Sequence, residues 1–173
     1  MAKVITGKVR LCYPNLFTPR ASDDGGDPKY SCAILIPKSD TETIKKIRQA
    51  EAEAEVEGKT SKWGGKGKSK PSVIKDGDET AEDYPERAGN WMMNISSKRK
   101  PGVVDQNLQD IIDPSEIYAG CWVRVSLGSY PYTYKGNGVG FGLNNVQKIA
   151  DGEPLGGAST AEDDFSVIED SLI

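Results

Sequence analysis

Histidine is missing from the chain altogether. That removes the usual base for activating a serine or cysteine nucleophile, and with it the commonest metal ligand. Carboxylate-only metal catalysis is the enzymatic route left open. Cysteine is scarce as well: Cys12, Cys32 and Cys121 are odd in number and far apart, with no C-x-x-C pair. They fit neither a disulfide frame nor a zinc site and read as small buried hydrophobes of a reducing compartment. No stretch approaches the roughly 18 continuous apolar residues of a membrane span, and Met1–Thr6 lacks the apolar core of a secretory signal. The expectation is a soluble, cytoplasmic protein with no membrane contact, no metal and no cofactor.

What is present is punctuation and uneven charge. With 19 Gly and 10 Pro in 173 residues, the chain is built from turns and short elements rather than long helices. The net charge of −4 hides an asymmetry, because Asp151–Ile173 holds seven acids and no base. Removing those seven leaves 22 basic residues over the first 150, against 19 acidic ones. The expected organisation is therefore a mildly basic domain over 1–150 and a disordered acidic tail over 151–173.

Period-two alternation marks the strands. Val4–Tyr13 puts Lys8 and Arg10 on one side, with Val9, Leu11 and Tyr13 on the other. Tyr30–Pro37 is a continuous apolar run suited to a central strand. Trp91–Ser96 turns Trp91, Met93 and Ile95 inward and ends beside Lys98, Arg99 and Lys100. One amphipathic helix is expected from Ser39 as cap, through Ile44, Ile47, Ala50 and Ala54, to a stop at Gly58. Lys59–Lys75 follows, with Lys62, Lys66, Lys68 and Lys70 interleaved with glycines and a lone Trp63. It reads either as a solvated flexible loop or as a mobile arm over phosphates with one ring to stack.

Gly120–Leu143 has two different faces. Cys121, Val123, Val125 and Leu127 make a core side; Trp122, Arg124, Ser126, Tyr130, Tyr132 and Tyr134 stand on the other. Lys135-Gly136-Asn137-Gly138 supplies the turn of a hairpin. A bulge at Gly128 would flip the three tyrosines to the core side; without it they join the basic strand faces. Rings stack on bases and cations neutralise phosphates, and a duplex hides its base faces, so such a surface points to single strands. The structural alternative for the tyrosines is ordinary cross-strand packing. The expected stacking set is Tyr130, Tyr132, Tyr134, Trp122 and Trp63. The expected phosphate set is Lys8, Arg10, Lys62, Lys66, Lys68, Lys70, Lys98, Arg99, Lys100 and Arg124.

Several segments, taken in order, resemble one known family: Pro28-Lys29-Tyr30-Ser31, Ile36-Pro37-Lys38-Ser39-Asp40, Asp76-Gly77-Asp78-Glu79, Lys100-Pro101-Gly102-Val103-Val104-Asp105, Ile117-Tyr118-Ala119-Gly120-Cys121, Gly142-Leu143-Asn144-Asn145-Val146-Gln147-Lys148 and Asp151-Gly152-Glu153-Pro154-Leu155-Gly156-Gly157. That family is a bacteriophage single-stranded-DNA-binding protein family. The resemblance implies a mainly β, OB-fold-type β-barrel, with single strands bound during phage DNA replication or recombination in the host cytoplasm, and no catalysis. Ala161–Phe165 is similar to the acidic, aromatic-bearing tails of other single-strand binders. On that likeness Glu162, Asp163, Asp164 and Phe165 would recruit replication or recombination proteins and compete with DNA. The expected helix follows only two clear strands, whereas many OB folds place it after the third. Two other classes stay open: a Mg²⁺-dependent nuclease or resolvase using Asp76, Asp78, Glu79, Asp105, Asp110 and Asp113, and a virion or scaffold protein.

Overall fold

The computed structural model describes residues 2–21, 26–155 and 166–168. The strands are β1 (Lys3–Ile5), β2 (Val9–Arg20), β3 (Lys29–Pro37), β4 (Lys75–Asp76), β5 (Asn90–Ser97), β6 (Gly102–Val104), β7 (Trp122–Thr133) and β8 (Asn137–Ala150), with one α-helix, α1 (Thr41–Ser61). Five of these strands close a ring: β2 pairs β3, β3 pairs β5, β5 pairs β8, β8 pairs β7, and β7 returns to β2. All of these pairings are antiparallel except β5 with β8. By rank along the chain the ring runs 1-2-3-5-4, a Greek-key return, and the fold is of the expected OB type.

The core fills from inward-facing alternate positions, as period-two patterning requires. Val9, Leu11, Cys32, Ile34, Ile36, Met93, Ile95, Val123, Val125, Leu127, Phe141 and Leu143 are all buried there. Burial pushes the Cys32 thiol well above its ordinary pKa, so it behaves as a small hydrophobe. α1 lies between the second and third ring strands and covers β1, β7 and β8 with a narrow stripe of Ile47, Ala50 and Ala54.

Both ends of the helix differ from expectation. Asp40, not Ser39, is the cap, its carboxylate accepting from the Thr43 amide at 3.1 Å. At the other end the helix runs through Gly58 to Ser61, because Gly58 is needed for packing rather than for termination. A methyl at Gly58 would stand 2.7 Å from the Trp63 indole, which lies against it.

Asp151 does not begin a free tail. Asp151–Leu155 is a strap held on the outside of the ring by backbone and side-chain contacts. Arg10 Nη2 donates to the Glu153 carbonyl at 2.6 Å, and the Leu155 amide to the Ala119 carbonyl at 2.9 Å. Tyr118 Oη and Lys148 Nζ hold the Asp151 carboxylate at 3.0 and 2.7 Å. Among the described residues the strap carries the folded body at least to Leu155.

Candidate nucleic-acid interface

Directly opposed residues of an antiparallel pair share a face. On the outside of β3 and β5 these pairs are Leu35 with Met92, Ala33 with Asn94, and Ser31 with Ser96. The face therefore divides by chemistry. Its apolar half, Cys12, Ala33, Leu35 and Met92, is covered by Leu155 from the strap. Its polar half is an open trough floored by Ser31, Asn94 and Ser96, formed by two adjoining cavities of about 270 and 440 Å³ that share Asn94 and Ser96.

One bank of the trough is the β7–β8 hairpin. Alternation along β7 is unbroken: Leu127, Ser129 and Pro131 are buried, while Tyr130 and Tyr132 face out. Gly128 pairs with Gly142 in regular register, and the irregularity between Ser126 and Leu127 adds its extra residue on β8. The tyrosines thus keep the outward face. Tyr130 and Tyr132 lie across the glycines opposite them, Gly140 and Gly138, with ring centroids 6.2 Å apart. Burial pushes the Tyr130 phenol above its usual pKa, with Tyr132 adding to the shift, so the hydroxyl stays protonated at neutral pH. Lys70 Nζ stands 4.8 Å from the Tyr132 centroid and 6.0 Å from that of Tyr134, and donates to the Tyr134 carbonyl at 3.1 Å. Lys29 and Val73 complete this side.

The far bank comes from β2, where alternation does break. Register slips by one between Cys12–Ala33 and Asn15–Ser31, and Tyr13 has φ of +47°. The bulge turns Tyr13 out of the core side expected for it, leaving the residue 50% exposed beside Asn15, Arg20, Ser31, Asn94 and Ser96. Sequence reasoning missed Tyr13, Asn15, Arg20 and Lys29. The available signal was Pro14, which inside a strand belongs at an edge or a bulge.

The remaining expected residues are scattered. Trp63 is a correction: its ring is 4% exposed, packed in the core, and its Nε1 donates to the Tyr132 carbonyl at 3.1 Å. It supports the hairpin from behind and presents no stacking face. Nor is the lysine-rich segment around it a loose arm. The Ser69 and Lys70 amides both donate to the Asn137 carbonyl, and Asn137 returns bonds to Ser69 Oγ and the Gly67 carbonyl. Lys62 and Lys66 are exposed on this stitched loop, while Lys68 and Lys70 are half-buried. Lys98, Arg99 and Lys100 are exposed where β5 leaves the trough, Lys98 beside Asp27 at 3.3 Å.

Lys8, Arg10, Trp122 and Arg124 gather elsewhere, on β2–β7. Lys8 Nζ and Arg10 Cζ stand 5.0 and 5.7 Å from the Trp122 ring, and the strap at Gly152 lies against that ring. Arg10 is engaged by the Gly120 and Glu153 carbonyls, and Arg124 Nε by the Thr6 carbonyl. Arg10 and the Trp122 ring thus dock the strap, while Arg124 is held at Thr6. Glu162, Asp163, Asp164 and Phe165 lie outside the described residues.

Four of the six carboxylates offered as metal ligands, Asp76, Asp78, Asp105 and Asp113, are engaged within the fold. Lys38 Nζ bonds Asp76 and Asp78 at 2.7 Å each and holds both carboxyls below their usual pKa. Asp105 accepts from the Asn107 and Gln109 amides, and Asp113 from Ser115. Among the described residues no three His, Cys, Asp or Glu side chains gather closely enough to hold an ion.

Comparison with known proteins shows the family and the fold. A family model described as the single-stranded-DNA-binding protein of Enterobacter phage Enc34 matches residues 2–172. Protein p50 of Acyrthosiphon pisum secondary endosymbiont phage 1 is 33% identical over 183 positions, spanning 97% of this chain and 96% of its own. The single-stranded-DNA-binding protein from bacteriophage Enc34, solved in complex with single-stranded DNA, has a TM-score of 0.77 at 34% identity over 90% of each chain. The bacteriophage T7 single-stranded-DNA-binding protein gp2.5 shares the fold, with a TM-score of 0.64 at 16% identity over 97% of this chain and 96% of its own.

Proposed function

The chain belongs to the Enterobacter phage Enc34 single-stranded-DNA-binding protein family, and on that premise we propose that it binds single-stranded DNA along the trough without catalysing a reaction on it. The observation that carries the reading is the pair Tyr130 and Tyr132, laid on Gly140 and Gly138 with Lys70 beside them. Two rings held at fixed positions lose little freedom when bases stack on them, and stacking tolerates any base. Lys29, Lys70, Arg20 and the Lys98–Lys100 cluster neutralise backbone phosphates, which supplies affinity without sequence readout. A duplex would present phosphates to the trough but no base faces.

The setting is phage DNA replication or recombination in the host cytoplasm, where exposed single strands need cover. The acidic residues beyond the strap, Glu162, Asp163 and Asp164 among them, compete with DNA for the basic trough and, with Phe165, recruit replication or recombination proteins. Support for the competition comes from Leu155, which occupies the apolar half of the same strand face as the trough.

Fluorescence anisotropy of labelled oligo-dT over a series of salt concentrations tests the reading. Affinity is expected to fall with a log–log slope of about −0.7 per phosphate contact, and equal-length duplex to bind far more weakly. A chain cut after Leu155 keeps the strap and is expected to bind more tightly, chiefly at low salt. A flat titration of oligo-dT at low salt overturns the reading.

A further inference from the structure

Tyr13 is in a conformation that its immediate surroundings do not explain. Its φ of +47° lies in the left-handed region, which costs a non-glycine residue about 1–2 kcal/mol. Burial does little to offset that strain, because the residue is 50% exposed. What the bulge achieves is placement. It lifts the ring from the core side of β2 onto the bank of the trough, facing the polar floor of Ser31, Asn94 and Ser96, with Asn15 and Arg20 alongside. The ring is also fixed there: Arg87 Nη2 donates to the Tyr13 hydroxyl at 3.2 Å, and the Arg87 guanidinium is itself seated 3.9 Å from the Tyr84 ring centroid. A strained, exposed, immobilised aromatic beside a polar trough fits a ligand platform, since backbone strain concentrates where surrounding structure holds a residue for use.

We propose that Tyr13 is a second base-stacking residue, on the bank opposite Tyr130 and Tyr132, so that a bound strand crosses β2, β3, β5 and the hairpin with bases stacked at both ends. The ligand is any nucleobase of a single strand, because a ring face reads no hydrogen-bond pattern. Asn15 and Asn94 provide amides for sugar or base edges, and Arg20 a cation for phosphate. The proposal rests on the single-strand-binding reading above and extends the track beyond the hairpin.

Three full-length chains separate the possibilities: unaltered, Tyr13→Phe and Tyr13→Asn. Asparagine tolerates the left-handed backbone, so it removes the ring without forcing the bulge to refold. Oligo-dT binding is expected within twofold of the unaltered chain for Tyr13→Phe, and roughly 5- to 100-fold weaker for Tyr13→Asn, the range for one lost stack. The melting temperature of Tyr13→Asn is expected to stay equal or rise, and its salt slope to stay unchanged, because no cation has been removed. On the unaltered chain, oligonucleotides carrying 5-iododeoxyuridine are expected to photocross-link to the peptide that contains Tyr13. Full affinity in Tyr13→Asn, or cross-links confined to residues 130–134, overturns the proposal while leaving the wider reading intact. Failure of the unaltered chain to bind oligo-dT overturns both.

Discussion

Tyr132 lies across Gly138, its register partner on β8, so closely that a methyl on Gly138 would stand 2.6 Å from the tyrosine's Cζ and Oη. Tyr130 has the same relationship to Gly140, at 2.7 Å. The two glycines are the seats of the two rings. Neither needs an unusual backbone; each is required because a side chain would lift the ring off the sheet. The atoms such a methyl would meet are the far ends of the tyrosine side chains, which can swing aside. Gly138→Ala and Gly140→Ala are therefore expected to cost only about 1 kcal/mol of folding stability. Single-strand affinity is expected to fall severalfold, because the platform is displaced. Chemical denaturation set beside oligo-dT titration checks this. A large loss of stability with unchanged binding would contradict it.

Gly58 poses a contest between two effects of known size. Alanine is favoured over glycine inside a helix by about 1 kcal/mol, which argues for a gain on Gly58→Ala. Overpacking against a fixed indole costs about 1–3 kcal/mol, and the Trp63 ring is buried with its Nε1 engaged by the Tyr132 carbonyl. Overpacking is expected to prevail, making Gly58→Ala destabilising. Trp63→Ala is expected to cost about 3–5 kcal/mol as a core deletion. Urea midpoints at unchanged m-value measure both.

The strap responds to acid with a defined sign. Hydrogen bonding by Lys148, and then by Tyr118, holds the Asp151 carboxyl below its ordinary range. A carboxylate whose pKa is lowered by folding contributes stability at pH values above the ordinary Asp value near 4, and loses it as pH falls through the lower folded value. Acidification from pH 5 towards 3 is thus expected to loosen Asp151–Leu155, with no comparable change between pH 6 and 8. The chemical shift of the Leu155 amide, bonded to the Ala119 carbonyl, reports it directly. Asp151→Asn should remove the transition.

The parts of the fold visible in the sequence are those written by side-chain periodicity. Alternation over Cys121–Pro131, the apolar run of β3 and the stripe Ile47, Ala50 and Ala54 on α1 each report which face is buried, and each is buried as patterned. The ring topology itself came through family resemblance, because pairing order leaves no local mark. Three features were opaque for different reasons. Trp63 sits among glycines and lysines, and its hydrogen-bond partner lies 69 residues away. Tyr13 follows the strand's parity up to a backbone angle that sequence does not print. Asp151–Leu155 has the composition of a free tail but is fixed largely by backbone atoms, to which composition is blind. The facing of the candidate site's side chains was legible on the hairpin, where parity decided it, and illegible on β2, where a bulge reversed it.

Equilibrium binding of oligo-dT by the unaltered chain and by a Tyr130→Ala, Tyr132→Ala double variant tests the central claim most directly. The account predicts that the double variant folds, keeps its salt slope, and binds at least roughly thirtyfold more weakly, since each stack is worth about 1–3 kcal/mol. Equal affinity in the two proteins, with the salt slope unchanged, would contradict it and move the DNA away from the trough.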